Sequence, residues 1–161
     1  MTGRPPLAFR ACIGLLALGG LLFTGALLLS DRAPGLMRRV LGGAAERLWA
    51  RIDAAGAPTT LGEEARARPD FVVHVVVWAV VTLLLALTVW TVYGVVLAMA
   101  GAFAAGVAIE LLQGRWSHSR AVELGDIVGN GTGVIAGGLA ALVVMGLWSV
   151  TGGRSARTRA G

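Results

Sequence analysis

The sequence predicts an all-α membrane protein: a compact bundle of four transmembrane helices, with an amphipathic interfacial helix between the first and second spans. Three observations carry that prediction. Of the 161 residues, 56% are hydrophobic and only 14% are charged, whereas a soluble domain needs roughly a quarter charged to cover its surface. The mean hydropathy is +0.75. The apolar residues fall into long runs, broken by one sizeable polar segment and one short one. The formal charge of +5 rests on 14 arginines and no lysine. Without a basic tract in a soluble module, that charge suits membrane anchoring and orientation, not nucleic-acid binding.

The first apolar run, Ala11 to Ser30, follows a short leader (residues 1–10) holding Arg4 and Arg10. It reads as an uncleaved span, because "SDRAPG" after it offers no A-x-A cleavage site. Gly14, Gly19, Gly20 and Gly25 are places where another helix can come close. Cys12, the single cysteine, lies within this run and excludes an intrachain disulfide or a thiolate metal cage. Residues 31–70 are the large polar segment. In it Leu36, Met37, Val40, Leu41, Ala44, Leu48, Trp49 and Ile52 recur at helical spacing, with arginines on much of the remaining surface. That pattern predicts the interfacial helix.

From Phe71 to Gln113 the chain runs 43 residues with Glu110 as its only formally charged side chain. One helix of that length would measure about 65 Å, roughly twice the hydrocarbon thickness, so the run must fold back. "WTVYG" (90–94) supplies interface aromatics and a glycine for the turn. The expected spans are therefore about 11–30, 71–90, 94–112 and 127–150, ending in a basic tail (151–161) with Arg154, Arg157 and Arg159. Arginines flank the first and last spans on their terminal sides. The positive-inside rule then predicts a plasma-membrane protein with both termini cytoplasmic and residues 31–70 outside.

This topology gathers polar residues at the outer face. Asp70 and His74 open the second span, Glu110 and Gln113 close the third, and Asp126 and Asn130 open the fourth, each pair on one helical face. Gly133 continues the Asp126–Asn130 side as a packing position. Arg120 lies in the connecting loop, within reach of Glu110 for a bidentate pair. Bland roles stand beside functional ones. Asp70 and Asp126 are placed to cap helices, Asn130 to clamp two helices and His74 to sit satisfied at an interface. Glu110 is the hardest to dismiss, because an intramembrane acid is expensive unless paired or neutralised.

"DFVVH" at 70–74, "ELLQ" at 110–113, Arg120 and "DIVGNGTG" at 126–133 resemble, in that order, the VanZ-like family of bacterial membrane proteins. The matching positions are Asp70, His74, Glu110, Gln113, Arg120, Asp126, Asn130 and Gly133. Phe71 stands where family members often carry lysine, and "SHSR" stands where a proline-glycine often precedes the arginine. The resemblance implies an integral protein of the cell envelope, connected through the family's name to teicoplanin response. It implies no particular reaction.

Three readings stay open from the residues. The leading one is a non-catalytic module binding a lipid headgroup, a glycopeptide or a membrane partner through the polar cluster. A second is an enzyme on a lipid-linked or envelope substrate, with His74, Glu110 and Asp126 as acid, base or divalent-metal ligands and Arg120 holding a phosphate or carboxylate. The third is a purely structural polar network. Homo-oligomers are compatible with the glycine-rich spans.

Overall fold

A computed structural model describes residues 4–28, 47, 69–116 and 124–158, and their side chains over 4–26, 47, 71–115 and 124–151. Among them are α1 (Leu7–Leu28), α2 (Pro69–Val89), α3 (Val92–Trp116) and α4 (Leu124–Thr158). All four are long and apolar enough to cross a membrane. Twenty-one residues, the length of the shortest helix, rise about 31 Å, close to the hydrocarbon thickness. Leu15, Leu22, Phe23, Val76, Val80, Val96, Leu139 and Val143 lie exposed on the bundle's outside. In water such a surface would aggregate; in a bilayer it is solvated by lipid. The chain is a multi-pass membrane bundle. The interfacial helix expected around Leu36–Ile52 falls outside the described residues, apart from Arg47.

α3 and α4 extend beyond the expected spans at both ends, and α1 and α2 at their starts. Apolar runs end before helices do, because the backbone keeps its internal hydrogen bonds into the interfacial layer. The largest difference is in α4, which starts at Leu124 and continues to Thr158, through much of the basic tail.

The α2–α3 turn also differs from expectation. It consists of Trp90 and Thr91, and Trp90 takes a left-handed backbone with φ 55°. Trp90 donates its N–H to Ala86 O at 3.0 Å, which ends α2 with the bond of an αL cap. A bulky residue there costs on the order of 1–2 kcal/mol. Burial of its ring and an edge-to-face contact with Trp148, at 5.8 Å between centroids, offset that cost. Thr91 starts α3 as an N-cap, its Oγ1 accepting the Gly94 N–H at 2.9 Å. Gly94 is thus inside α3, not in the turn. A side chain there would run into Val89.

Arg10 holds the same end of the bundle. Its Nε donates to Thr88 O at 2.8 Å and its Nη2 to Val89 O at 3.0 Å. These are carbonyls that α2 leaves unsatisfied at its C-terminus, where the helix dipole also favours a cation. The N-terminal end of α1 therefore lies beside the α2–α3 turn, and Trp148 of α4 joins them there. Above this end, Ile13, Ala86, Leu87, Trp90, Val95, Ala98 and Ala141 form one apolar layer, and Trp78, Val81, Ala102 and Val134 form the next.

The most extensive packing is between α2 and α4. Gly129, Gly133 and Gly137 repeat every four residues and make one bare face on α4. A Cβ on Gly133 would strike the Val75 carbonyl, and one on Gly137 the Ala79 carbonyl. On Gly129 it would come within 3.2 Å of both His74 Cβ and Phe71 Cδ2. Phe71, Val75 and Ala79 repeat at the same spacing, so the two backbones approach along matching faces. In α1, a Cβ on Gly14 would lie 3.0 Å from Thr88 Cγ2 and one on Gly25 3.9 Å from Ile109 Cδ1, whereas Gly19 and Gly20 face open space.

These contacts set unequal costs for substitutions of the same size. Gly133→Val should destabilise the bundle by about 3 kcal/mol or more, because a backbone carbonyl cannot move aside. Gly146→Ala, which meets nothing within 4 Å, should stay within about 0.5 kcal/mol of wild type. Equilibrium unfolding in mixed micelles checks the contrast. Equal effects would mean that α2 and α4 are not in backbone contact.

Candidate functional site

The end of the bundle opposite Arg10 carries the polar cluster. His74 is set one turn into α2, Glu110 and Gln113 lie in the last two turns of α3, and Asp126 and Asn130 in the first two of α4. Gly129 brings the start of α4 flush against His74, which leaves Asn130 facing the imidazole. His74 Nδ1 and Asn130 Oδ1 are 2.9 Å apart. With the amide oxygen turned to the ring, Nδ1 is the donor in this contact, and Nε2 is the nitrogen left facing Asp126. His74 Nε2 lies 4.0 Å from Asp126 Oδ2, too far for a hydrogen bond. One donor atom each from His74, Glu110 and Asp126 all fall within 4.8 Å of one another, and the three could hold a divalent metal ion.

Burial separates the members. His74, Glu110, Gln113 and Asn130 are at most 4% exposed. Asp126 retains 20% side-chain exposure and is the cluster's opening to the surface. It also sits in the first turn of α4, where a carboxylate complements the positive end of the helix dipole. Glu110 and Gln113 both have interaction partners. The bundle therefore tolerates Glu110 at this depth because α2, α3 and α4 surround it with polar groups rather than lipid.

Two expected members lie beyond this description. Asp70 is the second residue of α2, but its side chain is outside the described residues, and Arg120 falls outside them entirely. The structure adds three residues that the sequence reading passed over. Trp78 and Thr82 continue the His74 face of α2 at successive four-residue steps. Both are fully buried, and neither Trp78 Nε1 nor Thr82 Oγ1 has a hydrogen-bond partner. Gly106 lies one turn before Glu110 on α3. A Cβ there would be 3.0 Å from Asn130 Nδ2 and 3.2 Å from Trp78 Cε2 and Cζ2. The bare surface of Gly106 thus lets the Asn130 amide and the N–H edge of the indole meet beneath Glu110. The signal was the His-x-x-x-Trp-x-x-x-Thr spacing, hidden within an apolar run.

Fold and site together define a multi-pass helical membrane protein with a buried polar centre at one end of its bundle. The chain matches no family model, no curated protein and no solved structure.

Replacing Asn130 should reveal what the amide does. Asn130→Leu leaves the buried His74 Nδ1 without a partner, at a cost of about 1–3 kcal/mol. Asn130→Leu in a His74→Phe background should cost less than the same change in wild type, since no ring nitrogen is then left unpaired. A double-mutant cycle read by unfolding in micelles measures that coupling, and strict additivity would rule the bond out as a stabilising contact.

Proposed function

We propose that this chain is a VanZ-like protein of the cell envelope whose polar cluster faces the outer leaflet and binds the polar part of a membrane ligand. The ligand class is a lipid headgroup or a lipid-linked cell-wall precursor, with a glycopeptide or membrane partner as further candidates of the same polar chemistry. The observation that carries this reading is the convergence of His74, Glu110, Gln113, Asp126 and Asn130 from three helices at one end. A bundle held by glycine contacts and apolar layers has no need of five polar side chains there. Their desolvation is a cost without return unless they serve a ligand or one another. Asp126, the exposed member, is the side from which a headgroup would enter.

The expected orientation supports the reading. The α1 start, with Arg10, lies at the opposite end of the bundle. The positive-inside rule assigns that end to the cytoplasm and the cluster to the outside. Arg120, in the loop between Glu110 and Asp126, is the residue proposed to meet a phosphate or carboxylate.

The test is native mass spectrometry of protein released from nanodiscs that mix anionic and zwitterionic phospholipids. Wild type should retain lipid, and Glu110→Gln and Arg120→Ala should each lower retention about tenfold, equivalent to losing one charge-assisted hydrogen bond. Unchanged retention in both variants, with equal loss of thermal stability, would make the cluster a structural network and overturn the binding reading.

A further inference from the structure

We infer that His74, Glu110 and Asp126 form a site for one divalent transition-metal ion of the zinc or manganese kind, with Asn130 orienting the imidazole. This deepens the preceding reading and rests on it only in treating the cluster as a ligand site.

The first argument is the proton inventory. Asn130 Oδ1 accepts the Nδ1–H of His74, and Nε2 faces Asp126 Oδ2 across 4.0 Å. At that separation the two atoms can serve as ligands to one cation. In metal sites an imidazole commonly donates its second N–H to an oxygen in this way, which fixes the coordinating nitrogen. The second argument is charge. One oxygen each of Glu110 and Asp126 lie within 4.8 Å of one another, close enough for a divalent cation to draw both.

The indole N–H of Trp78 is fully buried without an acceptor, and its edge reaches the Gly106 surface, one turn beneath Glu110. Such an orphan donor costs about 1–3 kcal/mol, and buried donors of this kind mark a missing oxygen. Three protein ligands leave a four-coordinate ion one open position for an oxygen from water or a headgroup phosphate.

Size and ligand type narrow the ion. Two ligands on one zinc or manganese ion stand roughly 3.3–4.2 Å apart at bond lengths near 2.1 Å. The 4.0 Å separation of His74 and Asp126 lies in that range, and the widest pair stands at up to 4.8 Å. The imidazole nitrogen argues against calcium and magnesium, which favour all-oxygen sites.

The protein should be stripped with chelator in detergent, reloaded separately with zinc, manganese and magnesium salts, desalted, and measured for metal by mass spectrometry. Wild type is expected to hold about one zinc or manganese ion per chain, with a raised melting temperature, and no magnesium. Glu110→Gln and Asp126→Asn should weaken uptake at least tenfold. Asn130→Leu, which keeps all three ligands, should weaken it about 10- to 100-fold. Substoichiometric uptake by stripped wild type overturns the inference by itself, whether or not a variant folds. Uptake unchanged in folded variants overturns it as adventitious binding. Lipid retention in the same preparations separates the two readings. Lipid kept by wild type that takes up no metal removes the metal site alone. Metal uptake with no lipid retention leaves the metal site standing and removes the headgroup reading.

Discussion

The close approach of α2 and α4 fixes where every buried polar group can go. Gly129, Gly133 and Gly137 bring the α4 backbone against Phe71, Val75 and Ala79, with no room for a Cβ at two of the three glycines. In lipid there is little hydrophobic force between helices, so contact of this kind and the packing it allows supply much of the association energy. The same contact sets rotation. Once Gly129 lies on His74, the next residue, Asn130, must face the space between α2 and α3. Glu110 and Gln113 enter that space from α3.

The two ends of the bundle solve the same problem differently. At one end, helix termini are satisfied locally. Arg10 covers the last carbonyls of α2, Trp90 closes it with a left-handed residue, and Thr91 caps α3. Arg10, Trp90 and Thr91 each pair with backbone there. At the other end, side chains meet side chains. An imidazole, two carboxylates and two amides are held by elements far apart in sequence, and the hydrogen bond between His74 and Asn130 spans 56 positions. Apolar layers separate the two ends, so the polar centre is isolated from the far leaflet.

Much of this was legible in the residues. Run lengths and the 43-residue limit gave four spans with a fold-back near Trp90, and the topology alone put His74, Glu110, Asp126 and Asn130 at one end. Gly133 was marked as a packing position, but not the Gly129–Gly133–Gly137 face that it belongs to. Other features were hidden for physical reasons. A left-handed tryptophan has no propensity signal, because tertiary packing with Trp148 supplies what glycine would supply locally. Arg10 read as a topogenic charge, and its role as a helix cap depends on α1 packing beside the end of α2. Trp78 and Thr82 looked like span filler, since their missing partners become visible only once α3 and α4 close over them. Gly19 and Gly20, equally small, contact nothing, because α1 touches the bundle along one edge.

The account depends most on the state of one ring. If Asn130 holds His74 through Nδ1–H, Nε2 is the nitrogen turned to the carboxylates, and metal binding requires it to be unprotonated. Nitrogen-15 NMR of histidine-labelled protein in nanodiscs reads this directly, because the two ring nitrogens have distinct shifts in each tautomer. The account predicts a protonated Nδ1 with a hydrogen bond to Asn130 that is lost in Asn130→Leu, and an unprotonated Nε2. A proton on Nε2, shared with Asp126, would contradict it.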